Sequence, residues 1–239
     1  MKDNKYSFNS RVRYSETDFK GNLSMSGIMN YIQDCSTYQS ESLGLGIDHL
    51  KSVNRAWLVV AWNIVIERQI SLGTNIKIST WAEKFKTIYG SRNFTISDDE
   101  DNICVKANSL WVHINTENRH PVKAEESEMT PYGEGETLDI ETAVRKYNAP
   151  EKCVECESFK VKKHYLDSNG HVNNAWYITW AEEYLDSDFE VKEIKVFYQK
   201  EAVYGDMILP GISKEDDKVT VLFNSEDKHL HAAVEFIRK

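Results

Sequence analysis

The sequence predicts an α+β fold in which an antiparallel sheet wraps one long helix, with the whole arrangement occurring twice along the chain. Three observations lead there. The order strand, polar turn, helix and then a run of strands is spelled out in residues 8–115 and again in residues 157–238. Strand segments alternate apolar and polar side chains, whereas one segment per half places apolar residues at helical spacing. The composition is that of a packed globular protein, 239 residues with 41% hydrophobic, 11% aromatic and 28% charged, far from that of disordered chains.

In the first half, Phe8 to Tyr14 alternates as a strand, Ser15 to Asn22 is turn-rich, and Ile28, Met29, Ile32 and Cys35 share one helical face. Strands follow at Trp57 to Glu67, Asn75 to Lys86, Ser91 to Ser97 and, after the acidic turn Asp98 to Asn102, Ile103 to Asn115. In the second half, Glu157 to Tyr165 alternates and Asp167 to Asn173 is turn-rich. Trp176, Tyr177, Trp180, Ala181 and Tyr184 then form a helical face, with Asn173 or Asn174 as its N-cap. Glu190 to Lys200, Asp206 to Ser213, Lys218 to Asn224 and His229 to Arg238 are the closing strands.

Local echoes support a tandem duplication: Asp18-Phe-Lys-Gly21 against Asp167-Ser-Asn-Gly170, Tyr31-Ile32 against Tyr177-Ile178, and Arg68 with Gly73 against Lys200 with Gly205. The repeat of about 115 to 120 residues is the size of a small domain. Between the halves, Ala124 to Thr142 holds seven acidic residues, no basic ones and the breakers Pro131-Tyr-Gly-Glu-Gly135, which reads as an exposed strap. The expected organisation is an N-terminal domain over 1–123, an acidic connection over 124–152 and a C-terminal domain over 153–239, with the sheets joined edge to edge.

With 29 basic against 38 acidic residues and a net charge of -9, no segment can neutralise a run of phosphates, so nucleic acid is not an expected partner. The start lacks an apolar leader and no apolar run is long enough to span a bilayer, so a cytoplasmic location and no membrane span are expected. Cys35, Cys104, Cys153 and Cys156 fit reduced thiols; Cys153-Val-Glu-Cys156 has no second pair of ligands, so no metal is expected. Leu43-Gly-Leu-Gly46 lacks the third glycine and the preceding strand of a phosphate cradle, and no nucleotide cofactor is indicated.

The densest group of reactive side chains is Asp167-Ser-Asn169-Gly-His171-Val-Asn-Asn174. Asp167, Asn169 and His171 stand at i, i+2 and i+4, which in an extended segment aims carboxylate, amide and imidazole at one face. The following helix start would add backbone N–H groups suited to an oxyanion. An ordinary strand-to-helix turn also uses Asp and Gly. The first half has that turn without a histidine, so the histidine is not part of what the turn needs.

This motif, followed by Tyr177-Ile178 and an aromatic-acidic helix, resembles the acyl-acyl carrier protein thioesterases. The likeness extends to Trp57–Trp81, with Val65-Ile-Glu-Arg68 and Gly73, and to Phe197-Tyr-Gln-Lys-Glu201-Ala202, and so covers essentially the whole chain. It implies two tandem hotdog domains and hydrolysis of fatty acyl-acyl carrier protein to free fatty acid, ending or diverting fatty acid synthesis. It places the family's catalytic Asp, Asn, His and Glu on Asp167, Asn169, His171 and Glu201. Many members carry cysteine at the next position, where this chain has Ala202, so water is the expected nucleophile. Glu201, Asp167 or both would activate it, with Asn169 and His171 orienting water and carbonyl.

The first half keeps Asp18 but has no histidine. Its helix offers Met25, Met29 and Ile32 to line an acyl tunnel, with ordinary core packing as the alternative. The implied partner is acyl carrier protein with its acyl-phosphopantetheine group, which is acidic and calls for a basic patch: Lys160, Lys162, Lys163, Lys192, Lys195 and Lys200 are candidates. Competing readings are an acyl-coenzyme A thioesterase, a hotdog hydratase and a non-catalytic acyl-thioester binder. Monomer and homodimer both fit a tandem pair.

Overall fold

Ser24 ends the polar turn of the first half, and its hydroxyl accepts the Gly27 N–H at 3.0 Å, capping the first helix, α1 (Met25–Ser42). In the computed structural model, which describes residues 5–239, this is the central helix of the first of two compact units, which divide between Ala143 and Val144. Met1–Asn4, read above for a leader, lies outside the described residues. Among the described residues no helix is long and apolar enough to cross a membrane.

Among the described residues the first unit has five antiparallel strands, β1 (Tyr6–Arg11), β2 (Arg55–Ile66), β3 (Asn75–Lys86), β4 (Tyr89–Asp98) and β5 (Ile103–Asn115), in the order β1-β3-β4-β5-β2. A short helix, α2 (Ile47–Ser52), precedes β2. The helix buries Ile28, Met29, Ile32 and Cys35 against a sheet face carrying Ile64, Ile78, Phe94 and Ile96, all at 2% exposure or less. Phe85 and Gly90 pair beside the β3–β4 turn, where Thr87 takes a φ of 56°.

The opposite sheet face would meet water if the connection did not cover it. Register places Trp81, Asn93, Asn108 and Asn63 directly opposite one another across β3, β4, β5 and β2. All four are buried. Asn63 Nδ2 donates to the Glu141 carbonyl at 2.8 Å, and Asn93 Nδ2 and Trp81 Nε1 both donate to the Glu136 carbonyl, at 3.0 and 2.7 Å. Asn108 Oδ1 accepts the Ala143 N–H at 2.8 Å. Gly135 lies so close to the Trp81 ring that a Cβ there would fall 2.3 Å from Cδ1. Within this segment α3 (Glu126–Met129) forms, and Tyr132 donates its hydroxyl to Ser40 Oγ at 2.8 Å. The strap is therefore a fitted cover up to Ala143.

The second unit has β6 (Val154–Glu155), β7 (Phe159–Lys160), β8 (Val191–Tyr198), β9 (Met207–Lys214), β10 (Lys218–Asn224) and β11 (Leu230–Arg238), ordered β8-β11-β10-β9-β6 with β7 also on β9. Its helix, α4 (Asn174–Glu182), starts at Asn173, whose side chain accepts the Ala175 N–H at 2.9 Å. Tyr177 and Trp180 pack on Phe223 with ring centroids 5.6 and 5.8 Å apart.

Three expectations are corrected. Glu157 to Tyr165 is a strand only at Phe159–Lys160, and Lys163–Tyr165 turns as a 3₁₀ helix because the chain must redirect toward α4. The second central helix is nine residues rather than long: Tyr184 lies past its end, and the polar stretch from Asp186 closes a turn through Phe189 N to Asp186 O. The N-caps Ser24 and Asn173 correspond, so Tyr31 matches Trp180, one helical turn beyond the Tyr177 of the sequence echo.

Replacing Asn108 by Leu removes the Ala143 anchor and the donor to Asn93 Oδ1, leaving buried groups unpaired; it should cost about 2–3 kcal/mol. Denaturant unfolding and protease sensitivity within residues 134–143 should both report it, and unchanged values in both would contradict the clamp.

Candidate active site

The Asp167 motif folds as a tight turn rather than an extended stretch. Asp167 Oδ1 accepts the N–H groups of Asn169 and His171 at 2.8 and 3.2 Å, Asp167 N donates to the His171 carbonyl, and Gly170 takes a φ of 80°. The carboxylate thus folds back on its own turn, and the one-face geometry expected from i, i+2, i+4 spacing does not form. The first unit repeats the turn: Asp18 Oδ1 accepts Lys20 and Asn22 N–H, both at 2.9 Å, with Gly21 at φ 79°. Asp98 builds a third copy, accepting Glu100 and Asn102 N–H at 3.1 and 2.9 Å. The fifth residue of these turns is Asn22, Asn102 or His171; the first two bring an amide and only the last an imidazole, the side chain suited to general acid–base work.

A second turn meets the first. Val172 N donates to the Ala202 carbonyl at 2.9 Å, and His171 bridges Val203. This brings two residues distant in sequence together: His171 Nε2 stands 3.4 Å from Glu201 Oε2, with side chains 27% and 31% exposed. Catalytic contacts are often this loose without substrate. The same joint in the first unit pairs Leu23 N with the Ile70 carbonyl and bridges Asn22 with Ser71. Gln69 therefore occupies the Glu201 position and Asn22 that of His171.

Asn169 is exposed and makes no side-chain hydrogen bond among the described residues; its N–H serves the turn. At the helix start, Ala175 N–H is taken by the Asn173 side chain and Trp176 N–H by the Asn173 carbonyl, at 2.9 and 3.0 Å. These two amides are committed within the chain instead of facing a ligand. Tyr177, placed by the sequence on the helical face and in the Tyr177-Ile178 pair that follows the motif but given no role at the site, is a site neighbour: burial raises its pKa, and the charges of Asp206 and Glu201 add to the effect. It stays a neutral phenol, and no spacing signal links it to Glu201.

Of the expected tunnel residues, Met29 and Ile32 have no exposed surface and Met25 is half-buried. A cleft of about 100 Å³ beside α1 is lined by residues including Phe8, Ser10, Arg13, Glu16 and Tyr31, and by none of those three. The six candidate lysines all lie in the second unit; Lys195 is half-buried beside Glu193, at 3.7 Å, and the others are exposed.

Comparison with known proteins gives concordant matches. A chloroplastic acyl-acyl carrier protein hydrolase of Cuphea viscosissima is 26% identical over 188 residues, covering 73% of this chain and 46% of the relative. A chloroplastic oleoyl-acyl carrier protein thioesterase of Coriandrum sativum is 23% identical over 243 residues, 93% of this chain and 66% of the relative. The chain spans about half the length of the first of these. Among solved structures, an acyl-ACP thioesterase from Bacteroides thetaiotaomicron superposes with a TM-score of 0.91 at 20% identity, over 99% of this chain and 98% of that one. The 12:0-ACP thioesterase of Umbellularia californica gives 0.86 at 16%, over 100% and 98%. These likenesses establish the hotdog fold. The model of the acyl-ACP thioesterase N-terminal domain matches residues 3–132 and that of the C-terminal domain residues 148–236, and the chain belongs to the acyl-ACP thioesterase family.

Proposed function

We propose that this chain hydrolyses the thioester of fatty acyl-acyl carrier protein, releasing free fatty acid, and that the second unit carries the chemistry. The observation that supports this reading best is the acid–base pair His171 and Glu201, placed where the first unit has Asn22 and Gln69 on the same joint.

In the proposed reaction Glu201 takes a proton from water as its oxygen bonds to the thioester carbon. The C–S bond then breaks, the thiolate leaves and the proton passes to it. His171 orients the water, and the Asn169 amide together with His171 serves the carbonyl oxygen, since the amides of Ala175 and Trp176 are engaged. Glu201 is the base in this scheme because Asp167 Oδ1 already holds two backbone amides. Asp167 acts by setting the turn that presents His171. The first unit binds the acyl chain against α1, at Met25, Met29 and Ile32, and the exposed lysines around the second-unit turns receive the acidic carrier protein.

Thiol release from matched acyl-acyl carrier protein and acyl-coenzyme A esters tests the reaction and its partner together. Glu201→Gln and His171→Ala should each lower kcat by about a hundredfold or more, with the carrier-protein ester preferred by the parent. Binding of acyl thioesters without release would instead identify a binder, and preference for the coenzyme A ester would reassign the partner.

Asp167→Ala and Asp18→Ala remove equivalent turn closures, so each should lower unfolding stability by about 1 kcal/mol. Asp167→Asn keeps the accepting oxygen and should retain kcat within about threefold; a loss as large as that of Glu201→Gln would make Asp167 the base.

Met29→Phe adds volume to a fully buried position on α1. It should shift the preferred acyl chain toward shorter substrates in a chain-length series, and an unchanged profile would remove Met29 from the binding role.

A further inference from the structure

Glu201 lies three residues beyond the end of β8, on a stretch without a ladder of its own. Its C-terminal side is held by the joint with His171 and Val172. Its N-terminal side is held by one residue, His231 on β11. The His231 carbonyl accepts the N–H groups of Gln199 and Lys200 at 2.9 and 3.4 Å. Its ring Nδ1 stands 3.0 Å from the Lys200 carbonyl, and because a carbonyl only accepts, Nδ1 carries the proton and donates.

The ring is buried, with His231 at 2% exposure, and its Nε2 has no hydrogen-bond partner among the described residues. Burying an imidazole half-satisfied is unfavourable, and the scaffold does not demand it. In the first unit the Cys104 carbonyl ties the corresponding amides, Glu67 N and Arg68 N, at 2.9 and 3.1 Å. The side chain there is a small thiol whose sulfur sits 3.4 Å from the Asn102 carbonyl. The backbone knot is thus complete without a ring, and the histidine adds one bond, to the carbonyl that precedes Glu201. Three positions on the same joint differ together between the units: Asn22 and His171, Gln69 and Glu201, Cys104 and His231.

We propose that His231 is a positioning residue for Glu201, its Nδ1–H anchoring the Lys200 carbonyl so that the carboxylate is aimed at His171. The Lys200 carbonyl and the Glu201 amide share one planar peptide unit, so fixing the oxygen fixes the direction in which the Glu201 Cα leaves. This inference rests on the reading of His171 and Glu201 as the reacting pair.

The test uses His231→Leu, His231→Asn and the double variant Glu201→Gln/His231→Leu in the full chain. Leu should lower kcat by about tenfold to a hundredfold with KM within about twofold, the signature of a misplaced group. Asn presents an amide N–H where Nδ1–H was and should recover kcat to within about threefold of the parent. In the double variant the Leu change should cost less than about threefold beyond Glu201→Gln, since it acts through a group already disabled. Hydrogen exchange across residues 199–203 should quicken in Leu and not in Asn, a readout that needs no activity. Parent-like kcat in Leu, an Asn variant as slow as Leu, multiplying losses in the double variant or unchanged exchange would each overturn the proposal. If the parent released no thiol from any ester, the hydrolase reading would fall, and exchange alone would decide whether His231 anchors the Glu201 segment.

Discussion

A chain that passes from an edge strand into a helix wrapped by the same sheet must reverse within a few residues while pairing every backbone group it hides, and here one carboxylate oxygen meets that constraint. Asp18 and Asp167 each collect two amides from the turn they begin, and the fourth residue is glycine because φ near 80° suits no Cβ. The helix cap follows at once, at Ser24 or Asn173. The turn then docks on a second turn, where Gly73 N donates to Val12 O and Gly205 N to Val161 O at 3.0 and 3.1 Å. Helix entry, sheet closure and the joint between the turns all depend on that carboxylate, so Asp167 has a structural reason to exist before any chemistry is considered.

The duplication supplies an internal control for what the scaffold requires. The first unit builds the same joint from Asn22, Gln69 and Cys104, none of which carries charge at the joint near neutral pH. The second unit places His171, Glu201 and His231 on matching backbone, with hydrogen-bond lengths that agree within a few tenths of an ångström. Folding thus accounts for the aspartates, the glycines and the caps, but for none of the three titratable residues that set the second unit apart. Under the proposed function, the first unit is freed from chemistry and its buried helix face can be shaped for an acyl chain.

Much of the fold is legible in the residues because the period-two and helical patterns are strong. The limits of β3, β5 and β10 match the alternation in the sequence, residue for residue. The strap's attachment was not legible, since Asn63, Asn93 and Asn108 sit where a solvent-facing polar residue would also sit, and only their register reveals a buried rung. Likewise Asp167-x-Asn169-x-His171 fits an extended segment and a turn equally well until Gly170 adopts positive φ. Glu201 lies far from His171 in sequence, so spacing could not pair them; family resemblance could. His231 had no signal at all, because its role is carried by a carbonyl contact across strands and by the absence of that contact at Cys104.

Thiol chemistry is poorly placed in this chain, which bears on the nucleophile. Ala202 is 1% exposed beside Glu201 and offers no reactive atom. Burial pushes the Cys35 thiol up to about 12 and raises those of Cys104 and Cys153 as well, keeping them protonated where a thiolate would be needed. In the proposed reaction water therefore attacks directly. A thioester makes that route economical, since a thiolate leaves readily and the one proton taken at attack is the one it needs on departure. A single carboxylate, held by its peptide plane on one side and by the turn of His171 on the other, is sufficient for both transfers.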